Sequence, residues 1–182
     1  NIVGSVVYPA CEIVKPGMIK HIAGNRFSLG EPEGSESDRL KFISDILKRA
    51  GFRAPIQKNI RDEIWLKLIG NLSFNPISAL TGATLEQICN DQGTEAIVRA
   101  MMTEAKIIAE ELGAKINMSI EKRIEGARKV GAHKTSMLQD IEAGKLIEID
   151  SIIIAVKELG ELTCSPTPYI LSLIHISEPT RP

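Results

Sequence analysis

The spacing of apolar positions changes near Gln57, and the change divides the chain. Before it, Ile2 to Val7 is apolar and β-branched, and Met18 to Ile22 repeats the pattern after the turn signal Lys15-Pro16-Gly17, so both predict strands. Arg26 to Leu29 is a shorter third strand, closed by Gly30 and Pro32, and Phe52 to Ile56 is a candidate fourth. Between them Leu40, Ile43, Ile46 and Leu47 recur at helical spacing, with Ser37 placed to cap that helix and Gly51 to end it. After Gln57 almost every segment is helical in period. Ile60 to Leu80 is one helix; Thr84 with Gln87 makes a capping box for a short helix through Asn90. Ile97, Met101, Ala105, Ile108 and Leu112 form one stripe of a long helix that Gly113 ends. Ser119 caps a further helix closed by Gly131, and Ser136 with Gln139 offers a second capping box. Gly144 interrupts there, Ile147 to Leu159 resumes as helix before Gly160, and Pro166 and Pro168 precede a last turn or two.

The segment Ile60 to Leu80 is apolar around most of its circumference through Ile64, Trp65, Leu68, Ile69, Leu72, Phe74, Ile77 and Leu80, which predicts a buried helix. Against that background Lys67, Asn71 and Asn75 stand four residues apart. At about 100° per residue they drift only about 40° per step, so they form one polar stripe. Pro76 follows, predicting a kink that frees the Leu72 carbonyl beside Asn75. The commonest source of such a stripe is a solvated helix face. A solvated face, however, usually carries several charges of both signs, and asparagine is a poor mid-helix residue unless its amide has a specific partner. Both readings stay open on these residues alone.

Asn59-Ile60-Arg61-Asp62-Glu63-Ile64-Trp65-Leu66-Lys67-Leu68, continuing through Asn71 to Asn75-Pro76, resembles the catalytic helix of the ketopantoate reductases. Ser136-Met137-Leu138-Gln139-Asp140-Ile141, then Gly144, then Glu148-Ile149-Asp150 resembles that family's other active-site signature in order and spacing. Val6-Val7-Tyr8-Pro9-Ala10 and Arg26 to Pro32 look like the final strands of its nucleotide-binding domain. The likeness covers Asn1 to about Leu173, and two long spaced signatures are more specific than one short motif.

The resemblance implies an α+β fragment: residues 1–57 as the C-terminal remnant of a Rossmann-like NADPH-binding domain, and residues 58–174 as an all-α catalytic domain like the C-terminal helical domain of 6-phosphogluconate dehydrogenase. It implies an NADP-dependent oxidoreductase that reduces 2-dehydropantoate to pantoate, a step toward pantothenate and coenzyme A. Lys67 is then the general acid, and Asn71, Asn75 and Ser136 bind substrate. Glu148 contacts substrate, cofactor ribose or Lys67. The family's G-x-G-x-x-G phosphate loop has no counterpart here, so the chain alone is expected to be inactive. His133 stands where some members have asparagine and His21 reads as a strand-surface residue; neither is given a role. Two alternatives remain: a reductase of another 2-oxo acid, and a non-catalytic helical interaction module.

Composition narrows the classes. Acidic and basic residues nearly cancel, 23 against 22, which gives no extended field for nucleic acid or anionic membrane. Cys11, Cys89 and Cys164 are an odd set without C-x-x-C spacing, which argues against a disulfide framework or a structural metal; no metal site is expected, and a reducing cytoplasm fits. No apolar run is long enough to cross a bilayer. The partner expected is a small 2-oxo acid, with homodimerisation a family trait. The pattern begins mid-sheet at Asn1, which reads as a fragment, and residues 175–182 read as a non-native tail.

Overall fold

The computed structural model describes residues 2–177. The chain forms two compact units, Asn1–Ile64 and Trp65–Pro182, dividing within one helix.

In the first unit β1 (Gly4–Val7) pairs antiparallel with β4 (Phe27–Gly30) in the register Gly4↔Gly30 to Val7↔Phe27. Between them β2 (Ala10–Lys15) and β3 (Met18–Ala23) form a hairpin around Pro16-Gly17. The sequence reading had the turn and β3 but not β2. The charge at Glu12 breaks the apolar run, and the strand owes its pairing to a partner across the turn, as in Ile13↔Ile19. The expected strand at Phe52 to Ile56 is instead two isolated parallel bridges, Arg26↔Arg53 and Leu29↔Ile56. Pro55 accepts from the Leu29 N–H but has none to return. α1 (Asp38–Arg49) is capped as predicted: Ser37 Oγ accepts from the Leu40 N–H at 3.2 Å, and Gly51 follows with φ 90°. Its Leu40 packs with Leu29 and Ala54.

Glu31, after β4, is buried and accepts from Arg39 Nε at 2.8 Å, Arg39 Nη2 at 2.5 Å and the Ser37 hydroxyl. Arg39 foremost, then Ser37, holds this carboxyl at about 2 against an ordinary 4.5. Its stabilisation is therefore present above the unfolded value and disappears as pH falls from 4.5 through about 2. Thermal melts across that window should fall less steeply in Arg39→Met than in the parent, and parallel slopes would deny Glu31 this part. A second carboxylate, Glu63 in the first turn of α2 (Ile60–Thr81), accepts from the Tyr8 and Ser28 hydroxyls, both at 3.1 Å, and from Arg26, whose guanidinium lies 4.9 Å over the Tyr8 ring. These bonds fasten the start of α2 to β4.

The second unit holds the rest of α2, then α3 (Leu85–Asn90), α4 (Gln92–Glu111), α5 (Ile120–Val130), α6 (Ser136–Glu142), a π-helical turn Asp150–Ile154, α7 (Ala155–Leu162) and α8 (Pro168–Ser177). Part of the predicted non-native tail is thus the end of α8, and residues 178–182 lie outside the described residues. Trp65, Ile69, Leu72, Phe74 and Ile77 of α2 are buried with Met101, Met102, Ala105 and Ile108 of α4, and with Ile152, Ile153 and Val156 further on. That burial on several sides is why α2 is apolar almost all round. The helix runs through Pro76 unbroken, and Leu72 is wholly enclosed.

Most predicted ends are realised: the Thr84–Gln87 capping box, Ser119 accepting from the Lys122 N–H, and Gly131 closing α5. Two are not. Gly160 lies inside α7, which ends with Cys164 in the left-handed region at φ 54°. A Cβ on Gly160 would stand 2.8 Å from Thr167 Cγ2 and 3.2 Å from Ile108 Cδ1, so this glycine serves close packing, and the cysteine bears the strain of the turn. Cys164→Gly should stabilise the chain by about 0.5–1 kcal/mol, read as a higher Tm; an unchanged or lower Tm would contradict it. The other correction is at α6. Its cap is Thr135, which accepts from the Leu138 N–H, and Ser136 is the first helical residue. The Ser136–Gln139 box fails because Gln139 Nε2 donates to the Lys134 carbonyl instead.

Candidate active site

The site is assembled on α2, and its polar side chains differ in depth. Asn75 is buried at 6 % exposure, Lys67 and Asn71 are half-buried, and Ser136 and Glu148 are exposed. Asn75 meets α6: its Nδ2 donates to Ser136 Oγ across 3.5 Å, a long bond between residues 61 positions apart in sequence. That contact depends on the corrected cap. Thr135 satisfies the α6 N-terminus, so the Ser136 hydroxyl is turned to the asparagine beside a helix end that favours negative charge.

Glu148 lies on a different segment. It ends the segment between Gly144, whose φ of 66° terminates α6, and the π-helical turn at Asp150. Its carboxylate acts electrostatically on the Lys67 ammonium. Two effects compete there. Burial pushes the lysine below its ordinary 10.5, Glu148 pulls it back up, and burial wins. A lysine held that way gives up its proton more readily at working pH than a surface lysine does.

The structure thus joins Asn75 to Ser136 by a hydrogen bond, and Glu148 acts on Lys67 through its charge. Asn71 stands half-buried between Lys67 and Asn75 on α2. Sequence reasoning missed Thr135, whose signal was a second capping residue directly before Ser136. Among the described residues, no three of His, Cys, Asp and Glu gather as a metal would need.

A dinucleotide's pyrophosphate needs a glycine-bearing loop between a strand and a helix N-terminus. The loop of this kind between β4 and α1, from Gly30 to Ser37, carries Glu31, Glu33 and Glu36 and leads into Asp38. That charge repels phosphate, so the residues there do not fit the group. No helix among the described residues is long and apolar enough to cross a membrane.

Residues 59–179 match the family described as "Ketopantoate reductase PanE/ApbA C terminal". The 2-dehydropantoate 2-reductase of Mesorhizobium japonicum is 54% identical over 93% of this chain and 52% of its own length. A Ralstonia solanacearum protein of known structure superposes with a TM-score of 0.90 at 42% identity, covering 96% of this chain and 53% of that one. The crystal structure of 2-dehydropantoate 2-reductase from Methylococcus capsulatus gives 0.91 at 30% identity, covering 98% and 62%. The chain spans about half the length of the curated relative it matches at 54% identity.

Proposed function

Because the chain belongs to the ketopantoate reductase family, we propose that it supplies the catalytic helical part of an NADPH-dependent enzyme reducing 2-dehydropantoate to pantoate. Residues 1–57 are then the closing strands of the dinucleotide-binding domain, and the cofactor's phosphates are held outside this chain. The observation that supports the reading best is the half-buried ammonium of Lys67, within the electrostatic influence of Glu148 and on the same helix as Asn75, which meets Ser136.

The chemistry assigned to these residues follows from charge. Reduction of a keto carbon concentrates negative charge on its oxygen, and an ammonium in a partly desolvated position stabilises that charge and passes on a proton. Lys67 is the general acid in this reading, and Glu148 orients it while returning part of the positive charge that burial removes. Asn75 and Ser136 present donors to the substrate's carboxylate, and Asn71 holds a neighbouring oxygen, fixing the carbonyl toward Lys67.

The test is a substrate panel on the enzyme joined to its cofactor-binding part. Ketopantoate should be reduced with a higher kcat/KM than other branched or bulky 2-oxo acids. Turnover of those acids with none of ketopantoate would replace the substrate and keep the family. The isolated chain should oxidise no NADPH in the presence of ketopantoate, and a normal rate would remove the claim that the cofactor site lies elsewhere.

A further inference from the structure

Glycine is the poorest non-proline residue for a helix interior, yet Gly70 sits buried in the middle of α2, three residues after Lys67 and directly before Asn71. The reason lies on α5. A Cβ built on Gly70 would stand 2.1 Å from Arg123 Nη2 and 2.8 Å from both Cζ and Nε, so any side chain at position 70 would have to displace the guanidinium. Arg123 Nε is buried, and the cleft around it is lined by apolar residues including Leu66, Ile69, Met102 and Ile116. Arg123 as a whole is half-buried, and Lys106 and Ser119 line the same cleft beside the apolar residues. The arginine's planar, permanently charged fork suits a fixed orientation against a helix.

We propose that Arg123 is a positioning residue, seated on the bare backbone of α2 at Gly70, that sets where Lys67 and Asn71 stand. The inference rests on reading Lys67 as the proton donor. It follows from adjacency on α2: Gly70 directly precedes Asn71 and lies three residues after Lys67, so a group wedged against its backbone bears on the turn that carries both side chains. Arg123 supplies that wedge from a residue 53 positions away from Gly70 in the sequence.

The experiment compares Gly70→Ala, Arg123→Ala and the double variant in the chain as it stands, with two readouts. Thermal melts report the contact. Carbon-13-labelled lysine followed by NMR across pH reports the Lys67 ammonium, its signal identified by its disappearance in Lys67→Arg. Gly70→Ala should lower Tm with Arg123 present and raise it in the Arg123→Ala background, where the added methyl meets open space and helix propensity dominates. The Lys67 midpoint should move in both single variants, since a displaced ammonium loses its balance between burial and Glu148. Arg123→Lys, which keeps the charge without the fork, should shift the midpoint in the same direction and serves if either alanine variant fails to fold. An equal Tm change for Gly70→Ala in both backgrounds overturns the contact. A lowered Tm with an unmoved Lys67 midpoint overturns the positioning role. A parent Lys67 that titrates like a surface lysine fails at an earlier point, in the proton-donor reading itself.

Discussion

If Lys67 is the general acid as proposed, replacing it with alanine in the enzyme joined to its cofactor-binding part should lower kcat/KM for ketopantoate by about 100-fold or more while leaving the fold intact. The loss should appear in kcat and kcat/KM together, because the ammonium acts on charge that exists only as the carbonyl is reduced. Lys67→Arg should not rescue it, since a guanidinium stays protonated and is too broad for the position of a compact ammonium. Stability should move the other way. Burial holds Lys67 below its ordinary 10.5, so near neutral pH the native state carries a charge it disfavours. Native stability from this group rises as pH climbs through the lowered value and past 10.5, above which both states are neutral. Lys67→Met should therefore raise Tm near pH 7, with the advantage fading as pH approaches about 10.4. A variant that keeps full activity would favour an interaction module, or another acid. One that loses activity together with its cooperative melt would show only that the helix needs its lysine to fold.

The largest effect on stability is expected at Glu104. This glutamate in α4 is buried at 8 % exposure, and its two oxygens accept from the Tyr169 and Ile170 N–H groups at 2.8 and 3.0 Å. Those are among the first N–H groups of α8, which have no partner inside their own helix, and Pro168 leaves none to satisfy at the position before them. A carboxylate there meets two donors and the positive end of the helix dipole at once. Glu104→Ala should cost about 2–4 kcal/mol, because two donors lose their acceptor where water enters poorly and the dipole loses its counter-charge. Glu104→Gln keeps one acceptor oxygen and should lose roughly half as much. Denaturant titrations of the three proteins would settle it, and equal midpoints for all three would show that α8 is held by Ile170 and Leu173 in the core alone.

These two residues show different degrees of legibility. Lys67 was visible in sequence because a cation at four-residue spacing from two asparagines stands out against an apolar helix, and because the surrounding residues resemble a known signature. The apolar neighbours also implied its partial burial, but which of substrate, ribose or Lys67 the Glu148 carboxylate acts on was left open in sequence. Glu104 gave no signal: one acid on a long helix resembles any solvated charge, and its partners are the backbone of residues 65 and 66 positions later.

By itself the sequence determined what interactions within about one helical turn decide. The cap at Ser37, the box at Thr84 and Gln87, the stop at Gly131 and the polar stripe on α2 each need only neighbours that the chain places together as soon as it coils. Tertiary structure decided the rest. Whether Thr135 or Ser136 caps α6, whether Gly160 ends a helix or admits Ile108 and Thr167, and why Gly70 is a glycine are questions of competition for space and donors. Each local rule admitted two answers there, and packing against residues far along the chain selected one. The site needs both kinds of information: the stripe is written in sequence, but only the fold buries its lysine and brings Ser136 and Glu148 to it.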